Sequence, residues 1–133
     1  PSLGQIFDAL LEIAPEIAEH GTFNFCLSNG QALFAYAITK LHWLVREYPF
    51  KPAQLIDLDV EVDFSEVTTP EDRVAVITTE PLTQNEVWTA FAPGEMILFQ
   101  DGRPVRHGLT RIARLERELL DPSLKRVTKA DQY

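Results

Sequence analysis

The chain has 133 residues, 45% of them hydrophobic, with nine prolines, six glycines and a formal net charge of −8. This is the make-up of one globular domain able to bury roughly two-thirds of its unfolded surface, and it excludes a disordered or disulfide-stapled chain. The lone Cys26 has neither a disulfide partner nor zinc-ligand spacing around it, and no apolar run approaches the ~18 residues of a membrane span.

No basic-then-apolar leader is visible, so a cytoplasmic protein without a membrane partner is expected, and an opening on Pro1 rather than Met predicts a chain that is either processed or a piece of something longer. Charge is divided unevenly. Up to Asp101 there are 16 acidic residues against Lys40, Arg46, Lys51 and Arg73, whereas from Gly102 onward eight bases face four acids. A basic tail beside an acidic body predicts a tail that docks on its own body or hovers near it. A nucleic-acid partner is not expected, since the body would repel phosphate and the bases are not interleaved with aromatics.

The first predicted element is a helix. Ser2 with Gln5 forms a capping-box pattern, and Leu3, Ile6, Phe7, Leu10, Leu11, Ala14 and Ile17 recur on one helical face. Pro15 predicts a kink or a restart, and His20-Gly21 a C-terminal stop, which makes His20 a helix-end residue rather than a catalyst. A hairpin follows. Phe23 to Leu27 and Ala32 to Ala37 flank Ser28-Asn29-Gly30-Gln31, a tight turn in which Asn29 and Gly30 both take positive φ. Cys26 is expected as an inert thiol in a packed strand, because nothing electropositive lies near it in sequence.

From Thr39 to Ile56 no period of 2 or 3.6 persists, so an irregular loop is predicted; His42, Trp43, Arg46 and Tyr48 either line a ligand pocket or pack on another part of the protein. Asp57 to Phe64 alternates. Leu58, Val60, Val62 and Phe64 fall on one face and Asp57, Asp59, Glu61 and Asp63 on the other, as in a half-buried antiparallel strand with a solvated acidic face rather than a cation site.

Val74 to Glu95 reads as strand, loop and strand. Val74 to Thr79 is apolar or β-branched throughout, which predicts a strand covered on both faces; Thr83-Gln84-Asn85-Glu86 forms a polar loop, and Val87, Trp88 and Phe91 re-enter sheet. The loop holds one acid and one amide pair but no nucleophile, so it reads as scaffold rather than chemistry. Met96 to Phe99, Asp101-Gly102 and Val105 make a further hairpin, and Ile112, Leu115 and Leu119 a short helix ended by Asp121-Pro122, with a frayed last dozen residues. Helix, two strands, a loop and about five more strands, with no βαβ unit, define an α+β domain whose helix covers an antiparallel sheet.

The segments NFCLSNGQALFAYAITKLHWLVREYPF, FSEVTTPEDRVAVITTEPLT, NEVW and APGEMILFQDG, in that order, resemble the second half of a class II glutamine amidotransferase domain, nearest to the short stand-alone bacterial branch called YafJ-type. The resemblance runs from about Leu3 to Val105 and lapses beyond His107, which divides the chain into residues 1–107 and a basic tail, 108–133. It implies membership of the N-terminal-nucleophile hydrolases, a four-layer αββα fold of two antiparallel sheets between helix layers, with ammonia released from glutamine by an N-terminal cysteine whose own amine is the base.

The family's nucleophile, glutamine-binding residues and Asn-Gly oxyanion pair all belong to the first half of that domain. No catalytic, cofactor-binding or metal-binding residue carries over to this chain, and Asn29-Gly30 corresponds to a later turn. The implied partners are the missing N-terminal half or another subunit, with glutamine the substrate of the parent and no cofactor. Two other readings stay open: Pro1 as a tautomerase-type base, disfavoured because Ser2 and Gln5 cap a helix, and a non-catalytic binding or assembly domain.

Overall fold

The computed structural model describes residues 1–57, 60–65, 67–121 and Ser123. Its elements are α1 (Leu3–Ala18), β1 (Asn24–Ser28), β2 (Ala32–Ala37), β3 (His42–Glu47), β4 (Ala53–Gln54), β5 (Glu61–Val62), β6 (Arg73–Thr78), β7 (Thr89–Ala90), β8 (Glu95–Gln100), β9 (Arg103–Leu109) and α2 (Ala113–Leu120). The first sheet has the order β1-β2-β8-β9, the second β6-β3-β7, and β4 and β5 form a separate hairpin, every pairing being antiparallel.

Alternation along β2 and β8 produces the layers. Phe34, Tyr36, Met96 and Leu98 point to one face and pack with Phe7, Ala14 and Ala18 of α1. Ala35, Ala37, Ile97 and Phe99 point to the other and meet Trp43, Ala75 and Ile77 of the second sheet. Helix, sheet and sheet are thus stacked in that order. The capping box forms as expected, with the Gln5 amide donating to Ser2 Oγ at 3.2 Å and the Ser2 amide to Gln5 Oε1 at 2.8 Å. The helix continues through Pro15 as one element.

The basic segment docks on the acidic body. Arg106 pairs with Asp8 at 2.7 Å and lies 4.2 Å from the Phe7 ring centroid, while Glu19 accepts from the Arg114 amide and the Arg117 guanidinium, each at 3.0 Å. These bonds, the one from Arg117 foremost, hold the Glu19 carboxyl below its ordinary range. α2 lies within the predicted tail helix; Pro122 and residues 124–133, including most of the end expected to fray, lie outside the described residues.

Four expectations about strands are corrected. The stretch read as an irregular loop contains β3, which has a partner on each side; the mixed residues of HWLVRE obscured it because Trp43 packs in the core between the sheets while Arg46 is matched by the distant Glu86. β6, read as covered on both faces, is an edge strand with no buried residue. The strand predicted over 57–64 is reduced to Glu61–Val62, turned back on β4 by a Leu55 N–H to Val60 carbonyl bond that leaves Val60 exposed; Leu58 and Asp59 fall outside the described residues. Val87 is 90% exposed, so re-entry into sheet begins only at Thr89.

The two hairpin turns differ. At Asp101-Gly102 both residues have positive φ, 52° and 74°, as a two-residue turn matched to strand twist requires. At Asn29-Gly30 only Gly30 does, at 86°, against the expectation for Asn29. Side chains close that wider turn: Ser28 Oγ accepts from the Gly30 amide, and Asn29 Oδ1 from the Gln31 and Ala32 amides. A Cβ on Gly30 would meet nothing, whereas one on Gly102 would collide with the Arg73 carbonyl. Gly30→Ala should therefore cost about 1 kcal/mol from φ strain alone and Gly102→Ala about twice that or more, measured by urea unfolding; equal losses would contradict the clash.

Candidate functional site

The polar loop of the 74–95 stretch is occupied from within. Arg46, on the outer face of β3, donates from Nε to Glu86 Oε2 at 2.9 Å and from a terminal nitrogen to Oε1 at 2.8 Å, a bidentate pair with both side chains about four-fifths buried. Thr83 Oγ1 donates to Glu86 Oε1 at 2.8 Å and accepts from Trp88 Nε1 at 3.0 Å. Asn85 accepts from the Gln54 amide and donates to the Pro52 carbonyl, each at 2.8 Å. The loop is therefore pinned at one end to β3 and at the other to the β4 segment.

Two shallow cavities flank Arg46. One, of about 230 Å³, lies against Phe50, Lys51 and Asn85, and the other, of about 210 Å³, against Phe64, Thr68 and Asp72. The guanidinium lies 5.3 Å from the Phe64 ring centroid, with its charge already matched by Glu86. This is bracing, as expected of a scaffold.

The other residues singled out by sequence are dispersed. His42 Nδ1 sits 3.0 Å from the Thr79 carbonyl, Trp43 packs edge-on to Phe99 with centroids 5.8 Å apart, and Tyr48 is exposed before a cis Tyr48-Pro49 bond. Of these four, Arg46 alone lines the cavities. Trp43 serves the core, and His20 donates its backbone amide to the Ile17 carbonyl at the end of α1. No group of three or more potential metal ligands exists among the described residues.

Cys26 departs from expectation in placement, not in chemistry. It lies on the edge strand β1 and is exposed rather than packed. Burial of part of its surface still pushes the thiol above its ordinary value, the opposite of what activates a nucleophile. The Arg46–Glu86 brace itself was missed by sequence reasoning; the isolated acid in an otherwise uncharged loop was its one signal.

The stacking of one helix on two antiparallel sheets defines an α+β domain. The sequence profile of the class-II glutamine amidotransferases matches residues 1–122, and the chain belongs to that family.

Among its relatives, Escherichia coli (strain K12) YafJ, named as a candidate glutamine amidotransferase, is 46% identical over 104 residues, 78% of this chain and 41% of YafJ. A similarly named protein of Haemophilus influenzae (strain Rd) is 43% identical over 105 residues, 79% of this chain and 36% of that one. The crystal structure of a predicted glutamine amidotransferase from Pseudomonas aeruginosa PA01 superposes with a TM-score of 0.68 at 39% identity, covering 80% of this chain and 42% of that protein. The chain thus spans about two-fifths of the length of these relatives.

Arg46 holds the Glu86 carboxyl below its ordinary value of 4.5, with the Thr83 hydroxyl adding to this. A depressed folded value stabilises the protein above the unfolded pKa and is lost as pH falls through the folded one. Glu86→Gln should therefore lower stability at pH 7 by about 1–3 kcal/mol, and its gap from wild type should shrink below about pH 4.5. Chemical unfolding at several pH values tests this; a gap constant from pH 7 to 3 would refute it.

Proposed function

We propose that this chain is the non-nucleophilic part of a glutamine amidotransferase of the N-terminal-nucleophile hydrolase type, which as a whole hydrolyses glutamine to glutamate and ammonia for an acceptor. The observation carrying the reading is a family match over residues 1–122 in a chain whose one cysteine sits on a strand with its thiol pushed upward. In the longer enzyme an N-terminal cysteine would attack the carboxamide carbon, with its own amine as base. This chain contributes the helix-covered sheet, residues 1–107, and the basic segment 108–133, whose Arg114 and Arg117 bind Glu19 at the end of α1. Its helix and two sheets supply three layers of the four-layer αββα arrangement.

A second reading, a non-catalytic binding or assembly domain, draws on the internal pairing of Arg46 and Glu86, which suits a rigid scaffold. No helix among the described residues is long and apolar enough to cross a membrane.

Glutaminase assays on the isolated 133 residues and on a longer protein containing them should separate the readings. Ammonia release is expected only from the longer protein, and there it should vanish when the N-terminal cysteine is replaced by alanine. Release by the 133 residues alone would overturn the proposal, and release by neither would favour the binding domain.

A further inference from the structure

The two helices cap each other. α2 has eight residues, and a helix that short is not stable by itself in water. Its N-cap position is Ile112, an apolar side chain that bonds none of the amides left open in the first turn. The missing acceptor comes from α1. Glu19, the C-cap residue of that helix, accepts from the Arg114 amide on Oε1 and from the Arg117 guanidinium on Oε2, each at 3.0 Å. From 95 positions away it does for α2 what a Ser or Asp at the helix's own N-cap would do.

Arg114 acts in the reverse direction. α1 has no base in its last turn to meet its terminal carbonyls. Arg114 Nε donates to the Ala18 carbonyl at 3.2 Å, and one terminal nitrogen to Thr22 Oγ1 at 3.3 Å, just past the helix. The other terminal nitrogen donates to Glu118, one turn on, at 3.0 Å, and the two side chains are 17% and 14% exposed. A single guanidinium so joins the end of α1 to the body of α2.

Little else holds α2. Ile112 is buried in the core beneath α1, and beyond it no described residue is. Leu115 packs only in part on that core, and Leu119 and Leu120 are 83% and 89% exposed. A carboxylate at the C-terminal end of a helix is opposed by the helix dipole, so Glu19 disfavours α1 taken alone and stabilises the pair only when α2 is in place.

We propose that α2 is a two-state clasp, helical while Glu19 and Arg114 cap the two helix ends and released as an unfolded segment when those bonds are lost, with Ile112 as the fixed point from which it opens. α1 and the first sheet stay folded through the opening, because the buried residues they share lie outside α2. Opening uncovers the Ala18 carbonyl and detaches Arg114 and Arg117 from α1, so the charge and shape of that end of the domain differ between the two states. The clasp is independent of the activity proposed above.

Amide hydrogen exchange of the 133-residue chain, followed by mass spectrometry of peptides from α2, β2 and β8, reads the opening. In the wild type α2 should exchange at least about tenfold faster than β2 and β8. Glu19→Ala should quicken α2 by at least about a further fivefold, the effect of losing a helix cap, and leave β2 and β8 within about twofold of wild type. Glu19→Gln retains an acceptor for the Arg114 amide and should fall between the two. Glu16, three residues earlier on α1, is exposed and bonded to no described residue, so Glu16→Ala removes the same charge and should leave α2 unchanged. Exchange of α2 in step with β2 and β8 in the wild type would reveal one cooperative unit and overturn the proposal, as would equal effects of Glu16→Ala and Glu19→Ala or no effect of either.

Discussion

The structure depends on the pairing of β2 with β8, from Ala32 opposite Gln100 to Ala37 opposite Glu95. These two strands are buried on both faces, and a strand so placed must satisfy its backbone in the sheet and its side chains in two cores at once. Large residues, Phe34, Tyr36, Met96 and Leu98, fill the side toward α1. Two alanines on the other face let the second sheet approach closely, with Ile97 and Phe99 supplying bulk where Trp43 comes in edge-on. One alternation thus fixes the position of both neighbouring layers.

Electrostatics acts around this core rather than within it. Asp8 of α1 and Glu19 just past its end are met by arginines from β9 and α2, the residues that give the end of the chain its opposite charge. Exposed pairs such as Arg117 with Glu19 contribute little individually, but Arg106 also lies across Phe7 and joins the helix to the far edge of the sheet. The partly buried Arg46–Glu86 pair is different in kind. Removing either member leaves a poorly solvated charge, so it fixes the position of the loop that carries Thr83 and Asn85 more than it adds to net stability.

What could be read from the sequence follows from how local its physical cause is. The Ser2–Gln5 cap and the Asp101-Gly102 turn are decided within four residues, and both formed. The amphipathic face of α1 and the layering of an antiparallel α+β domain follow from periodicity over a few turns or strands. β3 was illegible because its neighbours β6 and β7 come from 26 or more residues away, and because Arg46, polar in sequence, is neutralised by a glutamate 40 positions on. β6 misled in the other direction. Its composition is that of a strand covered on both sides, and the described residues cover it on one edge only. The Arg46 brace was equally hidden, since sequence shows a loop acid but not the guanidinium that meets it.

That mismatch between composition and environment bears on function. Apolar, β-branched residues at an unblunted edge invite pairing with any extended segment, and selection ordinarily removes or shields them. Here they persist at β6 while β9, in the same chain, carries proline, arginines and an irregular register. The contrast within one molecule controls for the general composition of the protein. The open edge, the groove lined by both sheets and the half-exposed Ile13 and Ile17 are where the composition of the chain departs furthest from its surroundings.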